Sequence, residues 1–145
     1  MNPYLRTRVL TASPEELRLL LIEGAIRFAR QGRDGLARKD FEASFAGLSS
    51  CRDIIVELIT TMRPEVDPDL CDRLHGLYTF MYNELVEASF QRDPNRVDTV
   101  VKLLEYEHET WVLLMRKLAE ERGTNASEPS PTANRTDRVP ISMQA

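Results

Sequence analysis

Two carboxylate–histidine pairs are the residues of this chain whose types and spacing best suit chemistry. Glu105 and His108 stand three positions apart, and so do Asp72 and His75. On a helix this spacing places both side chains of a pair on one face. Helical bundles hold two-metal centres with Glu-x-x-His motifs from two helices and a Glu from each of two others. The spacing therefore raises the hypothesis of a bundle metalloenzyme built on Glu105 and His108.

The register expected of these helices disfavours joining the two pairs. The segments that carry them turn around near Asp93, so in an antiparallel arrangement the motifs are offset by about seven residues, or roughly 10 Å at 1.5 Å per residue. His75 also lies off the apolar stripe of its segment, whereas His108 lies on the stripe. We therefore expect no metal and no cofactor, and we predict that His108 is a hydrogen-bonded residue in or near the core.

Other signs of catalysis are weak. Along neighbouring antiparallel helices, Cys51 and Cys71 lie further apart than the roughly 7 Å Cα separation that a disulfide tolerates, so we expect no disulfide between them. We expect both cysteines to be small, partly buried side chains. Ser13 precedes a helix as a cap and has no histidine near it in sequence. The chain has no G-x-x-x-x-G-K-[ST], G-x-G-x-x-G or C-x-x-C motif. The sequence does not predict an enzyme.

Composition narrows the class of protein further. The chain has 145 residues, which is about the length of one domain. Its formal net charge of -4 and its 29% of charged residues are ordinary for a soluble protein. No apolar run approaches the roughly 20 residues of a membrane span, the N-terminus has no signal-peptide core, and the arginines are scattered. We predict a cytoplasmic (cytosolic) protein with no membrane span and no nucleic-acid partner.

Cap signals divide the chain into four predicted helices. Each begins with Ser or Asp, which accepts a hydrogen bond from the first turn, and in three of them Pro follows at the first helical position. The predicted helices run from Ser13-Pro14 to about Ala37, from near Asp40 to before Pro64, from Asp67-Pro68 to about Arg92, and from Asp93-Pro94 to Gly123.

Short connections between long helices predict an all-α fold, an antiparallel up-down four-helix bundle. We expect the bundle to span residues 13–123. Residues 1–12 form a short N-terminal segment, and residues 124–145 form a tail that we expect to be disordered because it has no apolar period.

Helical wheels leave apolar residues outside the core stripe of each helix. In the second predicted helix we place Phe41, Phe45, Leu48, Ile55, Ile59 and Met62 in the core. Apolar faces that a small bundle does not need usually mark interaction surfaces. The predicted partner-binding residues are Ile54, Leu58, Tyr82, Val86, Leu103, Tyr106, Leu113 and Leu114. Tyr4 and Val9 are candidates for a lid over this surface. Helix bending, end packing or homodimerisation are alternative ways to cover these residues.

The first helix start carries a resemblance to a known family. Val9-x-Thr11-Ala12-Ser13-Pro14-Glu15-Glu16-Leu17, followed by Gly24-Ala25-Ile26-Arg27-Phe28, resembles the flagellar secretion chaperone FliS family. The likeness covers about residues 4 to 120, including Leu77-Tyr78-x-Phe80-x-Tyr82 and Trp111. The family commonly has Leu-Tyr-Asp-Gly where this chain has Leu21-Ile22-Glu23-Gly24, so an apolar contact replaces an aromatic one at position 22.

The resemblance implies a specific role. Such chaperones bind the disordered C-terminal segment of flagellin, prevent premature polymerisation and deliver the subunit to the flagellar type III export apparatus. The flagellin segment wraps around the bundle and forms helices on apolar grooves, and the chaperone's own N-terminal segment can occupy part of that surface. Export-gate or regulatory proteins are further partners that the family suggests. The alternatives are a helical regulatory adaptor or a homodimeric bundle and, less favoured, the metalloenzyme.

Overall fold

The structure, a computed structural model, describes residues 2–127. These residues form five helices and no strand: α1 (Pro3–Thr11), α2 (Pro14–Ala37), α3 (Phe41–Thr60), α4 (Pro68–Gln91) and α5 (Pro94–Ser127). The predicted all-α class and the four long helices are confirmed. Residues 128–145, most of the tail predicted to be disordered, lie outside the described residues.

The structure differs from the prediction in one additional helix and in one helix end. Residues 3–11 were not predicted as a helix, yet α1 begins with Asn2, whose side chain accepts a hydrogen bond from the Tyr4 amide, and with Pro3 in the first turn. At the other end, α5 continues through Gly123 instead of ending there. A glycine inside a helix is unfavourable by only about 1 kcal/mol, and the next prolines, Pro129 and Pro131, come later in the sequence.

The predicted caps account for the starts of the four long helices. Each cap side chain accepts a hydrogen bond from a backbone amide of the first turn, which would otherwise lack a partner. The four bonds are Glu16 N to Ser13 Oγ at 3.2 Å, Ala43 N to Asp40 Oδ1 at 3.1 Å, Leu70 N to Asp67 Oδ1 at 3.2 Å and Asn95 N to Asp93 Oδ1 at 2.9 Å.

Glycines bring α2 and α3 unusually close together. A Cβ added at Gly47 would lie 2.6 Å from the backbone nitrogen of Gly32 and 2.7 Å from the carbonyl oxygen of Phe28. A Cβ at Gly35 would lie 2.6 Å from the backbone nitrogen of Ser44. Neither contact leaves room for a side chain, so the two backbones pack directly against each other.

This close approach turns α3 relative to the predicted core. Its buried stripe contains the small residues that face α2, and it is composed of Ser44, Gly47, Leu48, Cys51, Ile55 and Leu58. Phe41 and Phe45, predicted to be buried, are 38% and 68% exposed. Leu58, predicted to be on the partner-binding surface, is fully buried. Both predictions are wrong because the wheel weighed apolar character alone and ignored the glycines.

Ion pairs place α5 between α2 and α4. Arg30 pairs with Glu105 at 2.6 Å and Arg33 with Asp98 at 3.0 Å, which joins α2 to α5. The guanidinium of Arg96 on α5 pairs with Glu84 on α4 at 2.9 Å. Tyr78 on α4 also contacts Glu107 on α5. Because residue numbers rise along one helix as they fall along its partner, both pairings are antiparallel.

The four long helices enclose one apolar core in the compact unit Met1–Val112. Its largest fully buried side chains include Tyr78, Ile22, Leu48, Ile55, Leu58 and Met81. From Leu113 onward the chain belongs to a second unit. None of the helices in residues 2–127 combines the length and apolar character that a membrane span requires.

Candidate functional site

A chain of polar side chains crosses the interior of the bundle. Arg18 on α2 donates a hydrogen bond of 2.6 Å from Nη2 to the Tyr78 hydroxyl on α4, which in turn donates to the Glu107 carboxylate on α5. The Arg18 guanidinium also lies 5.6 Å from the ring centroid of Tyr78 and 5.8 Å from that of Trp111. Trp111 Nε1 donates to the backbone oxygen of Glu15 at 2.9 Å.

Burial sets the protonation of this network. Burial raises the pKa of the Glu107 carboxyl, while the hydrogen bond from Tyr78 and the charge of Arg18 act in the opposite direction. Burial, together with the nearby Glu107 charge, raises the pKa of the Tyr78 hydroxyl, which therefore remains a donor at neutral pH. The network joins α2, α4 and α5, which is a structural role, although the second carboxylate oxygen of Glu107, Oε2, is buried without a hydrogen-bond partner in the described part of the chain.

The two carboxylate–histidine pairs are engaged with other residues or exposed. His108 Nε2 lies 3.2 Å from Glu23 Oε1 on α2, as expected for a hydrogen-bonded residue near the core. Glu105 forms its ion pair with Arg30, and His75 is exposed. No group of three or more His, Cys, Asp or Glu in residues 2–127 has an arrangement that could hold a metal ion. Cys51 is a free, buried thiol, and its burial raises its pKa to about 12.

An apolar surface lies along the seam of α4 and α5. Glu107 and Arg96 on α5 both contact α4. Leu103 is four residues before Glu107 and seven after Arg96, so the helical period places it on the side of α5 that faces α4. Leu77 and Phe80 stand seven and four residues before Glu84, the residue of α4 that contacts α5. Tyr106 follows Leu103 on α5. We call Leu77, Phe80, Leu103 and Tyr106 the α4–α5 surface.

Half of this surface is open to solvent. Tyr106 is 73% exposed and Phe80 is 47% exposed. Leu77 and Leu103 are half-buried and pack against the core. The sequence predicted Leu103 and Tyr106 as partner-binding residues. It missed Phe80, because the contact of Glu84 with Arg96 that orients this side of α4 is not visible in the sequence. It placed Leu77 in the core, against which this residue packs.

The remaining predicted residues of the bundle lie elsewhere. Tyr82 and Val86 are each two positions from Glu84, about 200° around the helix, so they face away from the α5 side of α4. Both are half-buried. Ile54 packs against α2, because its Cδ1 would lie 3.3 Å from a Cβ added at Gly24. Leu58 is in the core. The predicted residues therefore do not form one continuous groove.

The outer helical segments also expose apolar residues. On α1, Tyr4 is 71% exposed and Val9 is half-buried, and no residue of this helix is buried. In the second unit, Leu113 and Leu114 are 62% and 41% exposed.

These features define a helical bundle with a polar network inside and apolar side chains exposed on its surface. The family model described as flagellar protein FliS matches residues 1–118. The chain belongs to the FliS family, which confirms the resemblance seen in the sequence.

Three relatives, each named flagellar secretion chaperone FliS, show the same likeness. The one from Vibrio cholerae is 28% identical over 100 residues, 69% of this chain and 74% of its own. The one from Bacillus subtilis is 32% identical over 95 residues, 63% of this chain and 70% of its own. The one from Campylobacter jejuni is 26% identical over 110 residues, 76% of this chain and 86% of its own.

Proposed function

We propose that this chain is a cytosolic export chaperone for flagellin. It binds the disordered C-terminal segment of flagellin, prevents premature polymerisation and delivers the subunit to the flagellar type III export apparatus. Membership of the FliS family and the names of the three relatives support a role in flagellar secretion. Export-gate or regulatory proteins are further candidate partners in that role.

The observation that carries the proposal is the open α4–α5 surface. Tyr106 is 73% exposed although Leu104, two residues earlier on the same helix, is fully buried. The half-buried Leu77 and Leu103 would add apolar area for the face of an incoming amphipathic helix. Burial of apolar surface contributes about 25 cal/mol per Å², and this gain offsets the entropy that a disordered segment loses when it folds on the bundle.

Other apolar positions extend the proposed contact around the bundle. Tyr82 and Val86 on α4, and Ile54 against α2, lie on surfaces other than the α4–α5 surface. A disordered segment that folds on binding can wrap a large surface and so reach such separate positions. Leu113 and Leu114, which lie in the second unit, remain proposed contacts.

The first twelve residues are the proposed lid. Tyr4 and Val9 would be displaced when flagellin binds. Deletion of residues 1–12 should then leave the affinity for flagellin unchanged or raise it, as measured by calorimetry. A large loss of affinity would instead make these residues part of the flagellin contact.

Truncated flagellin tests the proposal as a whole. Purified chain is mixed with full-length flagellin, with flagellin that lacks its C-terminal segment, and with the isolated C-terminal peptide, and complexes are separated by size exclusion. We expect complexes with the first and third only, and slower filament assembly of full-length flagellin in the presence of the chain. Equal binding to truncated flagellin would contradict the proposal.

A further inference from the structure

Arg96, in the first turn of α5, is held by polar side chains of α4 and of the turn between the two helices. Its guanidinium donates to Glu84 Oε1 at 2.9 Å and to Gln91 Oε1 at 3.2 Å. The Asp93 carboxylate lies 3.9 Å away, and the Gln91 amide donates to Glu87 at 3.0 Å. One cation of α5 is therefore fixed to α4 at two points about two helical turns apart.

The position of Arg96 in its helix makes these contacts informative. A cation in the first turn lies at the positive end of the helix dipole, where its charge is unfavourable for the helix that carries it. The side chain of Glu84 is 18% exposed and that of Arg96 is 33% exposed, so this pair is shielded from water more than an ordinary surface ion pair. The pair therefore stabilises one arrangement of α4 against α5, and not α5 by itself.

Three of the four residues of the α4–α5 surface stand between two contacts that join these helices. The Glu84–Arg96 ion pair is the contact nearer the turn, and the hydrogen bond from Tyr78 to Glu107 is the contact further along the helices. The residues between these contacts along the chain are Phe80, Leu103 and Tyr106. The spacing of the two helices at this surface is therefore set from both sides.

We infer that Glu84 and Arg96 are positioning residues for the α4–α5 surface. Their ion pair fixes the separation and the rotation of the two helices, so the apolar side chains are held in one arrangement before a partner arrives. A surface that is organised in advance loses less entropy when it binds. The inference rests on the proposed binding of flagellin at this surface, and it assigns neither residue a direct contact with flagellin.

Calorimetry with a flagellin C-terminal peptide measures the effect on affinity. We expect Glu84→Gln and Arg96→Gln each to weaken binding roughly three- to tenfold, the scale on which residues outside a binding site alter affinity. The double variant should bind no more weakly than the single variants, because the two residues act as one unit. Circular dichroism checks that each variant is folded.

The matched control is Arg33→Gln. Arg33 forms an ion pair of 3.0 Å with Asp98 on the side of α5 that faces α2, and its side chain is 32% exposed, against 33% for Arg96. This substitution removes a comparable ion pair from the same helix without touching α4. It should leave the affinity for flagellin unchanged, which separates positioning of the surface from a general loss of stability.

Hydrogen exchange in the absence of flagellin provides a second readout. Backbone amides of residues 77–84 on α4 should exchange faster in Glu84→Gln and in Arg96→Gln than in the natural chain, and at the natural rate in Arg33→Gln. No binding of flagellin by the natural chain would contradict the proposed function. The exchange rates alone would then decide whether the ion pair fixes α4 against α5.

Three results would overturn the inference. The first is unchanged affinity in both single variants although the natural chain binds flagellin. The second is a pair of effects that add in the double variant, which would make Glu84 and Arg96 separate, direct contacts of flagellin. The third is exchange on α4 that stays at the natural rate in both variants.

Discussion

Arg18 on α2 and Tyr78 on α4 are joined by a 2.6 Å hydrogen bond between a guanidinium and a fully buried phenol. The same hydroxyl donates to Glu107, so one oxygen links a cation and an anion that belong to two different helices. Buried polar groups are tolerated when they have partners, and the Tyr78 hydroxyl is the partner of both Arg18 Nη2 and Glu107 Oε1.

Removal of the Tyr78 hydroxyl should therefore destabilise the bundle. Tyr78→Phe keeps the ring but leaves Arg18 and Glu107 without their shared partner. We expect the free energy of unfolding in urea to fall by about 2 kcal/mol, the usual penalty for leaving buried polar groups unsatisfied. Tyr106→Phe is the control, because Tyr106 is 73% exposed and should lose almost nothing. Equal stability of the two variants would mean that the network contributes little.

Glu107 should make stability depend on pH. Burial raises its pKa in the folded chain above the ordinary value of 4.5, so the folded state binds this proton more tightly than the unfolded state does. Stability from this group is therefore fully present below the unfolded pKa and is lost as the pH rises from about 4.5 through the folded-state pKa. Glu107→Gln has no such titration.

Urea unfolding at a series of pH values measures this effect. The difference in unfolding free energy between the natural chain and Glu107→Gln should move in favour of the glutamine variant as the pH rises from below 4.5 towards neutrality. Profiles that stay parallel over this range would show that Glu107 titrates alike in the folded and unfolded chains.

Gly47, packed against α2, and Gly76, in open space on α4, should respond in opposite ways to substitution by alanine. Gly47→Ala would place a Cβ 2.6 Å from the Gly32 backbone nitrogen, so the helices must separate, and we expect a loss of about 1–3 kcal/mol. Gly76→Ala meets nothing within 4 Å on α4, so it should gain about 0.5–1 kcal/mol from helix propensity. Thermal unfolding of both variants provides the comparison. A harmless Gly47→Ala would contradict the direct contact of the two backbones.

The helix starts were predictable because they depend on local chemistry. Ser13, Asp40, Asp67 and Asp93 each accept a hydrogen bond within their own first turn, and a sequence displays this pattern directly. The end at Gly123 was not predictable from a glycine alone, because a helix can pass through glycine at a small loss of stability.

The faces of α3 were not predictable in the same way. Whether Phe45 or Ser44 faces inward depends on how closely α2 approaches, and that distance is set by Gly32, Gly35 and Gly47 together. Hydrophobicity alone placed Leu58 outside and Phe45 inside, the reverse of the structure.

The site was predicted in part for a related reason. Leu103 and Tyr106 share one helix and a short spacing, so the wheel could group them, and their role in partner binding stays a prediction. Phe80 belongs beside them only because Glu84 contacts Arg96 across the seam, and a single sequence does not display contacts between helices.

Calorimetry with a flagellin C-terminal peptide tests the central claim, that the exposed α4–α5 surface binds flagellin, most directly. The natural chain, Tyr106→Asp and Val66→Asp are titrated under the same conditions. The two substituted residues are similarly exposed, 73% and 77%, but only Tyr106 lies on the α4–α5 surface. We predict micromolar or tighter binding by the natural chain and by Val66→Asp, and a loss of at least about tenfold in Tyr106→Asp. No binding by the natural chain, or the same affinity in all three, would contradict the claim.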